Sequence, residues 1–215
     1  MTYCLFSGGK DSMTTACFLS EQKRLEGLVF LDTGISTPDI LPFVEQIASE
    51  NSWPIEIYRT PVLFETLVFK YGFARPKSHK WFRDYLKGRC LRQFRNRHPL
   101  ASLASGVRYA ESKKRLGSVR PVSLWEGVRV EAPIRDWTTE QVWQYLRERD
   151  LKVSPAYSAL HISGDCLCGA FADQTEKELL RVFYPYPYSR IRELEQVTGS
   201  IWGGKQADPC LACEA

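Results

Sequence analysis

The chain has no run approaching the roughly 20 consecutive apolar residues that a membrane span needs. It also lacks a charged start leading into an apolar stretch, because Ser7-Gly8-Gly9-Lys10-Asp11 interrupts the first apolar run at once. Both absences predict a cytoplasmic protein with no membrane partner. No internal repeat and no low-complexity segment is found, which excludes a solenoid and a biased linker. Histidine is scarce: His79, His98 and His161 stand isolated. No Ser–His–Asp arrangement or paired-carboxylate motif stands out, so hydrolytic chemistry of those two kinds has no sequence support.

What remains is a globular composition. Of 215 residues, 44% are hydrophobic and 13% aromatic, enough for a core and too many for a disordered chain. The length fits one large domain or two small ones, and no linker divides it; the expected organisation is a single domain over residues 1–215, with residues 160–215 a Cys-bearing tail to one core. The net charge of +4 excludes a strongly basic nucleic-acid coat and an acidic solvating segment. That average hides a concentration. Residues 75–98 carry Arg75, Lys77, Lys80, Arg83, Lys87, Arg89, Arg92, Arg95 and Arg97 against Asp84 alone, a net +8, and the other 191 residues are net −4.

Apolar patterning predicts strand, helix, strand, helix, strand within 60 residues. The strands are expected at residues 2–6, 27–31 and 55–58, with helices over 11–22 and from Pro38 onward. Such alternation specifies a parallel, doubly wound α/β sheet with right-handed crossovers. The basic middle reads as helical, and residues 102–107 and 128–130 could return strands to the sheet. Thr138 and Gln141 match a capping box opening a further helix.

Ser7-Gly8-Gly9-Lys10-Asp11-Ser12 joins the first strand to the first helix. Glycines there let backbone amides approach a phosphate, the helix N-terminus adds positive potential, and Lys10, Ser7 and Ser12 add donors. The Walker A pattern fails, since Cys4 stands where its first glycine belongs and Asp11 follows Lys10; G-x-G-x-x-G fails as well.

The loop resembles the S-G-G-x-D-S pyrophosphate loop of the ATP pyrophosphatase and sulfonucleotide reductase superfamily. Further matches follow in order. Asp32-Thr33-Gly34 is similar to a D-T-G that lies against the nucleotide. The stretch from Gly106 through Arg108, Glu111 and Ser112 to Arg115 resembles G-x-R-x-x-E/Q-S-x-x-R. Pro133-Ile134-Arg135-Asp136-Trp137 with Val142-Trp143, and then Pro155-Ala156-Tyr157, resemble P-L-x-D-W…V-W and N-P-L-Y. Together they identify the chain as resembling the phosphoadenosine phosphosulfate reductase-like family, whose fold is that of the adenine nucleotide alpha hydrolases.

That resemblance implies an adenine nucleotide bound by Ser7, Gly8, Gly9, Lys10, Asp11, Ser12, Asp32, Thr33, Gly34, Gly106, Arg108 and Ser112. Lys10, Asp11, Arg108 and Arg115 are the expected catalytic side chains, with Asp11 or Asp32 helping to hold Mg²⁺ beside ATP. Arg108 and Arg115 suit phosphate or sulfate oxygens.

Seven cysteines complete the inventory. Cys4 and Cys17 read as small buried hydrophobes. Cys166-Leu167-Cys168 and Cys210-Leu211-Ala212-Cys213 form two close pairs, as a tetrahedral sulfur site needs. Cys90 falls where iron–sulfur members carry C-C-x-x-x-K, although only one cysteine is present. The expected set for a [4Fe–4S] cluster is Cys90, Cys166, Cys168 and Cys213, with Cys210 close behind; zinc on the two late pairs is the alternative. The basic segment would steady an anionic cluster and nucleotide, or meet nucleic acid.

Sulfonucleotide reductases of this family carry a C-terminal E-C-G-L-H, absent here, and their loops tend to lack the Asp of S-G-G-x-D-S. Both departures favour ATP over a sulfonucleotide. The expectation is an adenylating ATP pyrophosphatase in a sulfur-transfer pathway, with a sulfur-donor protein as partner. A thiol-dependent reductase and a non-catalytic nucleic-acid or partner-binding module are the alternatives.

Overall fold

A computed structural model describes residues 1–111 and 119–203. Its centre is a six-stranded sheet ordered β3-β2-β1-β4-β6-β5. The strands are β1 (Thr2–Leu5), β2 (Leu25–Asp32), β3 (Ile55–Arg59), β4 (Ser102–Ala104), β5 (Val122–Trp125) and β6 (Val128–Glu131). All neighbours run parallel except β5, which pairs antiparallel with β6. The early alternation therefore builds the expected doubly wound sheet. The order reverses between β1 and β4, and the loops that leave their C-terminal ends form the crevice where such sheets take ligands.

Alternation along the strands divides the core between the two faces. Cys4, Leu28, Phe30 and Ala104 pack with α1 (Lys10–Glu21), α2 (Ile40–Glu50) and α6 (Thr139–Glu148). Tyr3, Val29, Leu31, Leu103 and Val130 face α5 (Arg89–Arg97), which contributes Cys90, Leu91 and Phe94. The capping box at α6 forms as its sequence specifies: Thr138 accepts from Gln141 N, and the Gln141 side chain accepts from Thr138 N. Pro38 does not open α2; Asp39 is the residue before its first turn.

The basic middle is helical but broken into α3 (Phe64–Tyr71), α4 (His79–Arg83), a π-helical turn (Asp84–Gly88) and α5. Insertions of this kind are frequent at functional sites.

The end of the chain has more structure than a tail. Here α7 (Pro155–Leu160), α8 (Gln174–Phe183) and α9 (Pro185–Thr198) join α3 and α4 in a third apolar cluster around the fully buried Trp202. Two further elements lay outside the expectation, β5 and its turn. Glu126 and Gly127 both have positive φ, of 50° and 77°, as a two-residue type I′ hairpin requires.

Candidate functional site

The loop after β1 reaches α1 through Gly8 and Gly9. Gly8 has φ +77°, and a Cβ there would stand 2.9 Å from Ile40 Cδ1, so only glycine fits. Gly9 precedes the helix and offers no side chain to its first amides, leaving them for an outside acceptor. Ser12 Oγ donates to Gly9 O at 3.0 Å and lies 3.2 Å from Ser7 Oγ, which draws the loop into a closed turn. Lys10 and Asp11 are both buried, with Lys10 Nζ 3.0 Å from Asp11 Oδ2 and 5.5 Å from the Tyr157 ring centre. Asp11 Oδ2 nevertheless accepts no hydrogen bond.

The loop after β4 closes over this turn. A Cβ at Gly106 would come within 2.7 to 2.9 Å of the Asp11 backbone and Cβ, so the residue must be glycine for the two loops to touch. Arg108, expected to grip phosphate, is only 1% exposed. Its Nε donates to Asp11 Oδ1 at 2.5 Å and its Nη1 to Trp137 O at 3.1 Å. Its charge is thus spent inside the protein on the loop's own carboxylate, and Arg108 positions Asp11. Ser112 and Arg115 lie outside the described residues.

Asp32, Thr33 and Gly34 follow β2. Asp32 Oδ1 accepts from Gly34 N at 2.9 Å and Oδ2 from Arg59 Nε at 3.0 Å, so this carboxylate shapes its own turn. Thr33, fully buried, donates to Asp165 O at 3.2 Å. Thr37 N to Gly164 O and Leu167 N to Ile35 O continue the seam. The Asp32-Thr33-Gly34 turn is therefore bonded directly to the loop carrying Cys166 and Cys168. Lys87, from the π-helical turn, clamps the same loop through Asp165 at 2.6 Å.

Cys166 and Cys168 share a hydrogen bond. It holds the Cys166 thiol below the ordinary range against burial, and raises Cys168, the donor, well above it. Cys90 behaves differently. It is fully buried under the sheet, donates to Leu86 O at 3.3 Å, and burial pushes its thiol up to about 12. Cys4 is a core residue as expected, whereas Cys17 is half-buried. Among the described residues no three His, Cys, Asp or Glu side chains are grouped to hold a metal. Cys210 and Cys213 lie outside the described residues.

A cavity of about 440 Å³ joins these parts. Ser7, Asp11, Ser12 and Gly106 line it, and so do Lys87, Cys166 and Cys168.

The phosphoadenosine phosphosulfate reductase domain matches residues 2–178. The chain belongs to that family. A reductase of this name from Xanthomonas axonopodis pv. citri is 26% identical over 161 residues, 73% of this chain and 66% of the relative. An uncharacterised protein of Methanocaldococcus jannaschii is 25% identical over 85% of this chain and 44% of its own. The chain thus spans less than two thirds of the length of these curated relatives. Two solved structures share the fold. The phosphoadenylyl-sulfate reductase from Candida auris has TM-score 0.53 and 18% identity, covering 71% of this chain and 74% of the other. The U34-tRNA thiolase from Methanococcus maripaludis, solved with its [4Fe–4S] cluster, has TM-score 0.52 and 18% identity, covering 98% of this chain and 75% of that one.

Ser7, Asp11, Ser12 and Gly106, drawn from the loops after β1 and β4, line the cavity together. Lys10, Gly8 and Gly9 form the adjoining turn. The cavity residues of β5, Ser123, Leu124 and Trp125, had no place in the sequence reading. The alternation of Val122 and Leu124 before Glu126-Gly127 is the signal that finds its hairpin.

Proposed function

We propose that the chain is an adenylating ATP pyrophosphatase of the reductase family that serves sulfur transfer. The observation that carries this reading is the single cavity shared by the phosphate loop and the Cys166–Cys168 pair. ATP binds with its β- and γ-phosphates on Ser7, Ser12 and the amides of Gly8 to Asp11, and an acceptor oxygen attacks the α-phosphorus. Pyrophosphate leaves, and a sulfur nucleophile then displaces AMP from the adenylated acceptor. Lys10 and the helix N-terminus stabilise charge growing on the leaving group. Asp11 Oδ2, buried and without a hydrogen bond, suits a Mg²⁺ accompanying the phosphates, while Arg108 fixes that carboxylate. Arg115 and Ser112 complete the nucleotide contacts on the sequence resemblance.

Two soft thiols side by side fit iron. Cys166 and Cys168 would hold a [4Fe–4S] cluster together with donors among Cys90, Cys210 and Cys213; of these Cys90 must give up its bond to Leu86 O, and zinc on the two late pairs is the alternative. A bound cluster would supply iron that activates sulfur. Anaerobic iron and sulfide analysis with the visible spectrum tests this: a broad cluster band is expected, and zinc without iron overturns it. Pyrophosphate release that disappears in Lys10→Met, with acceptor and sulfur donor supplied, tests the activity; equal release from both proteins overturns it.

The curated relatives named as reductases favour a second reading. There a thiolate attacks the sulfur of a sulfonucleotide, and sulfite appears instead of pyrophosphate.

A further inference from the structure

The inner side of the α8–α9 unit closes on Trp202 and the cysteine loop, while its outer side, with α3 beside it, faces solvent. Glu65 of α3 pairs with Arg190 of α9. Phe73 N, just past α3, donates at 2.9 Å to Ser200 Oγ, just past α9. The two helices therefore run side by side in the same direction, and Phe69 and Lys70 stand level with the stretch from Glu193 to Val197. The Lys177–Glu195 pair holds α8 against α9.

Large apolar side chains left in water concentrate on this layer: Phe69 and Tyr71 on α3, Val182 and Phe183 on α8, Tyr186 and Val197 on α9. Tyr186, Glu193 and Val197 recur at helical spacing and share one face of α9. The four aromatic side chains are each about half exposed or more, which at about 200 Å² apiece leaves roughly 450 Å² in water. Exposure of that size marks an interaction site. With the aliphatic neighbours it approaches the roughly 800 Å² that a stable association buries on each partner.

Charge narrows the occupant to a second copy of this chain. On α3 and α9, Glu65 is paired with Arg190, and Glu195 with Lys177 and Arg192. Lys70 and Glu193 are left, both exposed and in no ion pair among the described residues. One lone cation and one lone anion on an apolar face make that face complementary to itself. A two-fold axis beside the α3–α9 seam sets Lys70 of each copy against Glu193 of the other. A strongly acidic or basic partner finds no net charge there to match.

We propose that the outer face of α3, α8 and α9 is a homodimer interface. This goes beyond the adenylation reading and does not depend on it. Apolar burial drives the association, and the two Lys70–Glu193 pairs set its register. Because the inner side of the same unit holds Trp202 against Leu167 O, the dimer also braces the loop that carries Cys166 and Cys168.

Sedimentation equilibrium of the full chain tests this over about 1 to 100 µM. The protein is kept anaerobic and reduced, so that no intermolecular disulfide contributes. Wild type sediments as a dimer. Phe69→Glu/Val197→Glu, at two exposed positions, raises the dissociation constant at least about a hundredfold. Lys70→Glu alone and Glu193→Lys alone each raise it about tenfold or more, since each sets like charges face to face. Lys70→Glu/Glu193→Lys returns it to within about threefold of wild type, a rescue that misfolding cannot imitate. The melting temperature climbs with protein concentration in wild type and in the rescued variant, and less in the single swaps. Wild type that stays monomeric at about 100 µM overturns the proposal and leaves the face to a different protein. A dimer indifferent to both single swaps, or a double swap no tighter than the singles, also overturns it.

Discussion

At the scale of single residues, the site turns on Asp11. One oxygen is bound by Arg108, the other faces Lys10 without a hydrogen bond, and the Asp11 backbone abuts Gly106. Arg108→Ala leaves a buried carboxylate with half its compensation gone. A stability loss of about 3–5 kcal/mol is expected by urea denaturation, the scale for breaking a buried pair; a loss under about 1 kcal/mol contradicts the positioning role. Gly106→Ala drives a Cβ into the Asp11 backbone, which cannot yield as a side-chain tip would. It should cost about 1–3 kcal/mol and weaken ATP binding at least tenfold. The loop residues were legible in the sequence because their chemistry is local: two glycines, two hydroxyls and a helix start. The role of Arg108 was not, because its partner is 97 residues away and only the fold decides whether an arginine faces ligand or protein.

At the scale of elements, the capping box at α6 was written in Thr138 and Gln141, and Thr138→Ala should cost about 1 kcal/mol by thermal or chemical unfolding. The α7–α9 unit was not legible as structure, because cysteines drew the reading toward a tail. Trp202 shows what orders it. Its indole N–H donates to Leu167 O, between the two cysteines, and its backbone N–H donates to Glu195. Trp202→Ala should cost about 3–5 kcal/mol by urea denaturation and, on the cluster proposal, lower the iron content of anaerobically prepared protein by freeing the cysteine loop.

Glu195 sets an acid limit on the same unit. Burial alone would raise its carboxyl, yet bonds from Lys177, Trp202 N and Arg192 outweigh burial and hold it below the usual range. A depressed folded value means the stabilisation is present above the unfolded value of about 4.3 and fades as pH falls through the folded one. Glu195→Gln should therefore flatten the acid limb of the stability profile below about pH 4.3. An unchanged acid limb would contradict the assignment. The β5–β6 hairpin escaped notice because Glu126-Gly127 is a weaker turn signal than Asn-Gly and its strands are four residues each.

At the scale of the molecule, the parallel sheet was legible from the first 60 residues, where short apolar runs alternate with helical patterns and the turns after the first two strands carry Gly8, Gly9 and Gly34. The strand order supplies what no local pattern holds. Reversal between β1 and β4 places residues 7–12 beside 105–108, and the seam from Thr33 to Asp165 ties that crevice to Cys166. No helix among the described residues is long and apolar enough to cross a membrane. The +8 segment is also sorted by the fold: Arg83, Lys87, Arg92 and Arg97 pair with Asp84, Asp165, Glu126 and Glu56, while Lys77 and Lys80 lie exposed.

On the proposed function, this crevice cleaves ATP between its α- and β-phosphates. The anaerobic protein is offered ATP and phosphoadenosine phosphosulfate in parallel, with a thiol donor and a sulfide source in both. Products are separated by ion chromatography. AMP and pyrophosphate are expected in equal amounts from ATP, both lost in Lys10→Met, with no sulfite from the sulfonucleotide. Stoichiometric sulfite with no pyrophosphate would contradict it and identify a reductase.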